Sequence, residues 1–348
     1  MRTVIVARDP GAASALAPVA RRWPSAVIGL DAARPVFERA GIPLVGPSAD
    51  REPGVAEEWL RRLQPRVLVT GTSRLDLVPL DAQWWDAARS IGVPSVAVLD
   101  HWIGYWQKFT RHNRFDTVPD AIAVMDSYAR DRLVELGCRG PRLVVTGQPA
   151  LDTLTKEELP GCRAARDHWG LSDDAWVVLF VSEPIAADHG ARLGYDETDA
   201  LSLLLEALDG LPAELVVKPH PREQPDRLAE VLRRFGRPAR VETRLDGRSA
   251  AAGADSVAGM TSVLLLEAAL AGRPVLSIQP GVREPWTEHF GSLVVTVESA
   301  AGARAWLHEP ESRAVLGVAE RRSRLEAAGF DGRAAERVCQ LLEELSHE

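Results

Sequence analysis

The strongest constraint on the fold is the regular alternation of short apolar runs with helical patterns along the chain. In the first half the apolar runs are continuous, as expected for strands that are covered on both faces. The strand candidates are 3–7 (TVIVA), 26–30, 66–70, 95–99, 121–125 and 142–147. The helical patterns between them span 13–22, 32–40, 54–64, 79–91 and 127–137. A β-α-β-α order predicts a doubly wound parallel sheet.

The second half repeats this scheme, and 348 residues are enough for two domains. Its strand candidates are 176–182, 214–218, 239–243, 256–259 and 274–278. Its helix candidates are 196–209, 224–235, 262–271, 298–307, 311–328 and 331–346. We therefore predict an α/β protein with two Rossmann-like domains, 1–150 and 151–330, that face each other across a cleft. The final helix, 331–348, is free to cross back to the first domain.

Composition excludes several functional classes. The net charge of -8 and the pI of about 5.6 argue against a general affinity for nucleic acid, because a polyanion needs a basic face. The three cysteines are far apart and form no CxxC pair, which excludes a disulfide framework and a zinc ribbon. No apolar run is long enough for a signal peptide or a spanning helix. We expect a cytoplasmic protein without an integral membrane segment, and peripheral membrane contact is left open.

The segment SVAGMTSVLLLEAALAGRPVLSIQPG (256–281) reads as strand, turn, helix and strand. In parallel sheets, ligands bind beyond the carboxyl ends of strands, where helix N-termini favour anions. Gly259 frees the turn, and Thr261 or Ser262 is suited to cap the helix. The free N–H groups of that helix would then point at an anionic ligand, with Met260 in the same turn.

Glu267 lies in the same helix, which is otherwise apolar on all sides. A buried acid there needs a partner. Two interpretations are open: the carboxylate accepts hydrogen bonds from the hydroxyls of a nucleotide ribose, or it pairs with an arginine such as Arg273.

The segment KPHPRE (218–223) ends an apolar strand with a cation and an imidazole between prolines. The prolines stiffen the strand exit and keep His220 out of the sheet ladder. We expect His220 to donate a hydrogen bond to a phosphate, and Lys218 to be a supporting charge. The alternative is a histidine that only caps the next helix.

Two loops of the first domain are further candidates. In ARDPGAAS (7–14) Pro10 and Gly11 form a tight turn next to Asp9, whose carboxylate acts either as a base or in an Asx-turn. The loop is not GxGxxG, so a nicotinamide dinucleotide is not supported.

In VLDHWIGYWQKF (98–109), Asp100 is a second candidate base beside His101. Trp102 and Tyr105 are either a stacking platform for a sugar or plain core. Two further strand-end residues, Ser182 and Gln279, are candidates for lining the donor site. The histidines show no metal-binding spacing and there is no Asp-x-Asp, so neither a metal nor another cofactor is expected.

The EAALAGRP element after a Gly/Ser-rich turn resembles the donor-nucleotide region of GT-B glycosyltransferases and of UDP-N-acetylglucosamine 2-epimerases. KPHPRE resembles the His-Pro motif of bacterial sialyl-, polysialyl- and Kdo-transferases and CDP-glycerol phosphotransferases, in which the histidine contacts the donor phosphate. The two-domain scheme covers nearly the whole chain, whereas these motifs cover about 40 residues.

The resemblance implies an inverting, metal-independent glycosyltransferase for polysaccharide or glycoconjugate synthesis. Its donor would be a UDP-, CMP-, GDP- or TDP-sugar bound by residues 151–330, and its acceptor, a hydroxyl or amine, would bind residues 1–150. Asp9, or else Asp100, would be the base, and His220 would stabilise the leaving phosphate. The donor-binding residues are Lys218, His220, Gly259, Met260, Thr261, Ser262, Glu267, Ser182 and Gln279; the acceptor-binding residues are Gly11, His101, Trp102 and Tyr105.

Three alternatives remain open. A nucleotide-sugar 2-epimerase resembles the chain in its second domain, but such enzymes usually show HVEAGLR where this chain has VLDHWIGY, with Asp100 as the comparable acid. A CDP-alcohol phosphotransferase shares the His-Pro element. A non-catalytic protein that closes on a nucleotide-sugar is the third alternative.

Overall fold

The computed structural model describes residues 3–47, 54–75, 79–110, 114–115, 117–154, 162–223 and 225–347. The chain divides into two compact units, which we call unit 1 (residues 1–153 and 330–348) and unit 2 (residues 154–329). Each unit contains its own six-stranded parallel sheet. The predicted α/β class, with two Rossmann-like doubly wound sheets, is confirmed.

The strands are short and mostly buried, as their continuous apolar runs require. They are β1 (Thr3–Ala7), β2 (Ser25–Gly29), β3 (Val67–Thr70), β4 (Ser95–Val98), β5 (Ala121–Val124), β6 (Arg142–Val145), β7 (Trp176–Val181), β8 (Ala213–Lys218), β9 (Ala239–Val241), β10 (Ser256–Gly259), β11 (Val275–Ile278) and β12 (Val295–Val297). The order is β2-β1-β3-β4-β5-β6 in unit 1 and β12-β11-β10-β7-β8-β9 in unit 2.

The helices connect these strands and cover the sheets. They are α1 (Pro10–Arg22), α2 (Arg34–Arg39), α3 (Val55–Leu63), α4 (Leu80–Ser90), α5 (Tyr105–Phe109), α6 (Ser127–Glu135), α7 (Cys162–Trp169), α8 (Ile185–His189), α9 (Glu197–Ala207), α10 (Pro225–Phe235), α11 (Gly247–Gly253), α12 (Val263–Leu270), α13 (Pro285–His289), α14 (Ala300–His308), α15 (Val318–Ala327) and α16 (Ala334–Leu345). Three short 3-10 helices span Asp31–Ala33, Pro149–Leu151 and Pro310–Arg313.

Each unit has its own apolar core against its sheet. In unit 1, the alanines and Leu16 of α1 pack with strand residues and with the apolar face of α16, which includes Val338 and Leu342. In unit 2, the core joins Phe180 of β7 to leucines of α9 and to Leu228 of α10. At about 25 cal/mol per Å² of apolar surface, these buried strands and helix faces are the main stabilising term.

The sequence patterns located most strands within one or two residues and missed several short elements. β12 was not predicted, since it is a three-residue edge strand with an exposed first residue, Val295. Helix α7 lies between residues 151 and 175, where we predicted no element, and its residues Ala165 and Trp169 are buried. Predicted helix 311–328 is instead a 3-10 turn followed by α15, and Gly317 is the N-cap of α15. No helix within the described ranges is long and apolar enough to cross a membrane.

The first turn of α16 is held by a buried carboxylate of unit 1. Asp152, which is 4% exposed, accepts hydrogen bonds from the backbone N–H groups of Ala334 (2.9 Å) and Ala335 (2.8 Å). A carboxylate at this end of a helix satisfies donors that have no partner within the helix.

We expect Asp152→Ala to lower the free energy of unfolding by about 1–3 kcal/mol, because two buried N–H groups lose their acceptor. Asp152→Asn keeps one acceptor and should cost less. Urea denaturation followed by circular dichroism measures both. Equal stability of all three proteins would show that this contact does not hold α16.

Candidate functional site

Both sheets have a point where the strand order reverses, and ligands of open α/β sheets bind there. In unit 1 this switch point lies between β1 and β3, and in unit 2 it lies between β7 and β10. The loops after these strands and after the neighbouring strands β4, β8 and β11 contain most of the residues that we predicted as site residues. Each unit therefore has a candidate site at the carboxyl edge of its own sheet.

Asp100 is the centre of the unit 1 site. Its Oδ1 accepts a hydrogen bond from the hydroxyl of Thr72 (2.8 Å) and forms an ion pair with the Lys108 ammonium. Lys108 is 8% exposed and also donates to Thr72 Oγ1 at 3.3 Å. Burial opposes ionisation of Asp100, but the Lys108 charge outweighs it, and the pKa of Asp100 lies below its usual value. Asp100 is therefore ionised at neutral pH.

Two glycines allow the backbone of the loops around Asp100 to pack closely. A Cβ at Gly11 would lie 2.6 Å from Asp100 Oδ2, and a Cβ at Gly71 would lie 2.2 Å from the Cβ of Ala12. Gly11 therefore contacts the carboxylate through its bare backbone, as a tight turn after β1 allows. Gln148, which follows β6, donates to the backbone oxygen of Asp100 at 2.7 Å and fixes the loop.

Asp81, in the first turn of α4, is a second acid of this site. It is 1% exposed; its Oδ2 accepts a hydrogen bond from the Ser73 N–H at 2.6 Å, and its Oδ1 has no hydrogen-bond partner among the described residues. The pKa of Asp81 is raised to about 7, mainly by burial. The hydrogen bonds from Ser73 lower this pKa, and the charges of Asp9 and Asp100 raise it. The unit 1 site thus contains one ionised carboxylate and one carboxyl that is largely neutral near pH 7.

The other residues that we predicted in unit 1 differ in their contacts and in their burial. Asp9 is the N-cap residue of α1 without a capping side-chain bond, and its carboxylate lies 3.7 Å from the Arg8 guanidinium. The pKa of His101 is lowered to about 4 by burial and by the Lys108 charge, so its ring is neutral. Trp102 donates to Asp126 at 2.7 Å, and both Trp102 and Tyr105 are buried rather than exposed as a stacking platform.

In unit 2, His220 follows β8 and is held by its own loop. Its backbone N–H donates to Glu223 Oε2 at 2.5 Å, and its Nδ1 accepts from the backbone N–H of Arg222 at 3.1 Å. An accepting Nδ1 places the ring proton on Nε2, which leaves that nitrogen as a donor. Burial lowers the pKa of His220 to about 4, so the ring is neutral. Ser182, after β7, donates to the same Glu223 carboxylate at 2.7 Å.

The N-terminal end of α12 is occupied by a carboxylate of the chain itself. Glu183 Oε1 accepts from the backbone N–H of Thr261 at 2.5 Å, and Oε2 accepts from the Thr261 hydroxyl at 3.0 Å. Ser262 is the N-cap of α12, and its hydroxyl accepts from the Leu264 N–H at 3.3 Å. We predicted that the turn at Thr261 and Ser262 binds an anionic ligand, and in this structure the carboxylate of Glu183 is bound there.

Glu267 pairs with an arginine that we did not consider. Arg248 donates to both carboxylate oxygens, from Nε at 3.1 Å and from a terminal nitrogen at 2.8 Å. Arg273, the partner that we considered, donates to the backbone oxygen of Ala252 at 2.7 Å. Arg248 lies in α11, which the sequence patterns missed. A role of Glu267 toward a ribose stays a prediction.

The remaining predicted residues of unit 2 are engaged within the unit. Lys218 donates to the backbone oxygen of Leu245 at 2.6 Å, and burial lowers its pKa. A Cβ at Gly259 would lie 2.8 Å from the oxygen of Val181, so the strands β7 and β10 require glycine there. Met260 is fully buried. The side-chain amide of Gln279 donates a hydrogen bond to the Ser277 hydroxyl and accepts one from the backbone N–H of Glu284. Binding roles for these residues stay predictions. Among the described residues, no group of three acidic, histidine or cysteine side chains could hold a metal ion.

Solved structures resemble this chain over its whole length. No protein-family model matches the sequence, and a comparison with curated proteins found no match. UDP-GlcNAc 2-epimerase from Neisseria meningitidis, bound to UDP-GlcNAc, aligns with a TM-score of 0.71 at 13% identity, covering 99% of this chain and 100% of the other. MnaA from S. aureus, in a co-structure with UDP, gives 0.71 at 15% identity over 99% and 96%. Anabaena HepE with UDP and glucose gives 0.69 at 15% identity over 99% and 100%.

These similarities establish the fold, which consists of GT-B-like Rossmann domains of the kind seen in UDP-GlcNAc 2-epimerases. They also correct the leading functional prediction. The inverting glycosyltransferase is wrong, since the structures that resemble the chain end to end are repeatedly 2-epimerases. The acceptor role given to Gly11, His101, Trp102 and Tyr105 depended on transfer and loses its basis.

Sequence reasoning missed four residues that shape these sites. Asp81 lies in the predicted helix 79–91, to which we assigned no function, and Lys108 lies in the segment 98–109, in which we singled out only the acid, the histidine and the aromatic residues. Glu183 directly follows Ser182, and Glu223 is the last residue of the KPHPRE segment, but we singled out neither. An acid directly after a buried strand is a usable signal for all such loops, because the carboxyl ends of parallel strands are where ligands bind.

The raised pKa of Asp81 predicts that the stability of unit 1 depends on pH. The carboxyl stays neutral in the folded state up to about pH 7, whereas it ionises near pH 3.8 when unfolded. Its contribution to stability is therefore present at low pH and is lost as pH rises to about 7. Relative to the wild type, Asp81→Asn should be more stable at pH 8 than at pH 5 by about 2–3 kcal/mol.

Urea denaturation at the two pH values measures this difference. Asp86→Asn, on the exposed face of the same helix, is the matched control and should show no such shift. A difference between Asp81→Asn and wild type that is the same at pH 5 and pH 8 would rule out the raised pKa.

Proposed function

We propose that the chain is a nucleotide-sugar 2-epimerase that binds a UDP-sugar and inverts carbon 2 of the sugar. The observation that carries this proposal is the end-to-end similarity to UDP-GlcNAc 2-epimerases, with at least 97% of this chain covered in each alignment. Similarity limited to one unit would support nucleotide binding only. Similarity in both units supports the complete reaction.

The carboxyl groups of unit 1 support the chemistry. The hydrogen on carbon 2 is not acidic by itself, so a base can remove it only if the C–H electron pair forms a double bond to carbon 1 and expels the UDP diphosphate. Return of the diphosphate to carbon 1 and of a proton to the opposite face of carbon 2 then restores the nucleotide-sugar. This sequence needs a group that takes the proton and a group that returns one, with separated pKa values. Asp100 is kept ionised by Lys108, and Asp81 is kept largely neutral by burial. We assign Asp100 as the base, in the place where the epimerases usually show the acid of HVEAGLR, and Asp81 as the neutral partner.

The switch point of unit 2 supports the binding of the nucleotide. The N–H groups of Thr261 and Ser262, in the turn that leads into α12, and the Nε2–H of His220 are donors of the kind that bind a diphosphate. They follow β10 and β8, the two strands that flank β7, so both belong to one edge of the sheet. Glu267 supplies a carboxylate suited to ribose hydroxyls, with Arg248 holding its orientation.

The test is to incubate the protein with UDP-GlcNAc and to follow the formation of the C2 epimer by proton NMR. Asp100→Asn should lower the rate by about 10²- to 10⁴-fold, because it removes a positioned base. Asp86→Asn should leave the rate unchanged. Release of free UDP with transfer of the sugar, or binding without any epimer, would contradict the proposal.

Lys108 predicts a shift in the pH dependence of the same reaction. Without its charge the pKa of Asp100 rises, so the base is protonated at higher pH. In Lys108→Met the acid side of the rate profile should move to higher pH, with a smaller loss at pH 9 than at pH 6. A uniform loss at all pH values would assign Lys108 a purely structural role.

A further inference from the structure

Glu183 occupies the place where a phosphate would be bound in unit 2. Its two carboxylate oxygens accept the backbone N–H and the hydroxyl of Thr261, and the backbone N–H of Ser262 contributes a further hydrogen bond. These donors lie in the turn that leads into α12, with Thr261 directly before the N-cap residue Ser262, and an anion is favoured at such a helix end. The carboxylate comes from the loop after β7, across the switch point from β10. The chain itself thus places an anion in its candidate phosphate site.

We propose that Glu183 is an internal competitor for the nucleotide phosphate, so that a nucleotide binds only when this carboxyl is neutral or withdrawn. The inference rests on the proposed function for the identity of the ligand, a nucleoside diphosphate sugar. It adds a residue that sets when, and how tightly, that ligand is bound. Neither a ribose contact nor a catalytic step is required of Glu183.

The surroundings of Glu183 make its negative charge costly. Glu223, from the loop after β8, raises the pKa of Glu183 by its like charge, and the Tyr195 ring before α9 also faces it. In the part of the chain that the structure describes, no lysine or arginine forms an ion pair with Glu183. The carboxylate is stabilised by hydrogen bonds from the backbone N–H and hydroxyl of Thr261 and from the backbone N–H of Ser262.

A phosphate would need those same donors. If Glu183 remained ionised, two anions would compete for one helix end, and like charges at contact distance repel strongly in a partly buried site. If Glu183 is neutral, it no longer repels the phosphate and holds the donors only weakly. The competition is therefore controlled by the protonation of one side chain.

That protonation falls in the neutral range. Burial raises the pKa of Glu183 to about 7, against the hydrogen bonds of Thr261. Below pH 7 the carboxyl is mostly neutral and the helix end is available; above pH 7 it is mostly ionised and the end is blocked. The affinity for the nucleotide should therefore fall as pH rises. His220, with a pKa of about 4, does not titrate in this range.

The experiment is isothermal titration calorimetry, in which UDP-GlcNAc is titrated into the full chain at pH 6, 7 and 8 and the Kd is measured. The pyrophosphate diester of this ligand stays fully ionised over that range, so changes in affinity report the protein. For the wild type we expect the Kd to rise about tenfold from pH 6 to pH 8. The reason is that the apparent Kd is the intrinsic Kd divided by the fraction of protein in which Glu183 is neutral, and this fraction falls about tenfold over the same range. Glu183→Gln should bind at every pH as tightly as the wild type does at pH 6.

Two further variants complete the design. Glu206→Gln makes the same change at an exposed position of α9 and should keep the wild-type pH dependence. Glu183→Ala removes the competing group and should bind at least as tightly as Glu183→Gln at pH 8. Circular dichroism of each variant verifies that it is folded.

The possible failures are distinguishable. Binding by the wild type with a Kd that does not change with pH, or a pH dependence that persists in Glu183→Gln, would overturn the role of Glu183 and leave the proposed function standing. A Glu183→Gln variant that binds more weakly than the wild type at pH 8 would do the same, since the carboxylate would then assist binding. Absence of binding by every variant at every pH would overturn the proposed function and the role of Glu183 with it.

Discussion

The two parallel sheets determine where chemistry can occur in this protein. Because their strands are buried on both faces, each loop that follows a strand lies at the same edge, and side chains distant in sequence meet there. Asp100 follows β4, Thr72 follows β3 and Gly11 follows β1, yet Thr72 and Gly11 both lie next to the Asp100 carboxylate. In unit 2 the loops after β7, β8 and β10 meet in the same way through Glu223 and Glu183.

Burial at these edges separates the charge states of neighbouring acids. Asp100 and Asp81 belong to one site, but a buried ammonium keeps the first ionised while burial keeps the second largely neutral near pH 7. In unit 2 a similar balance acts on Glu183, where helix donors favour the charge and burial opposes it. Perturbed pKa values of this kind are concentrated at functional sites. The same physical effect thus prepares acid–base chemistry in one unit and controls access to an anion site in the other.

The sequence was sufficient for the fold class, and it directed attention to the strand ends, but it did not show which side chains contact one another there. Continuous apolar runs located β1, β7 and their neighbours because strands covered on both faces leave an unmistakable pattern. The same patterns cannot show that Arg248 rather than Arg273 reaches Glu267, because that pairing depends on how α11 and α12 pack. The transferase prediction failed for a related reason. The EAALAGRP element resembles a donor-nucleotide region that transferases and 2-epimerases share, so this resemblance does not report what happens to the sugar.

The central claim is that the protein breaks and re-forms the bond between carbon 2 of a UDP-sugar and its hydrogen. Its most direct test is incubation with UDP-GlcNAc in deuterium oxide, followed by NMR and mass spectrometry of the recovered nucleotide-sugars. The account predicts deuterium at carbon 2 of the epimer, with the glycosidic diphosphate intact in the product. Recovery of UDP-GlcNAc that is bound by the protein but contains no deuterium at carbon 2, with no epimer formed, would contradict it.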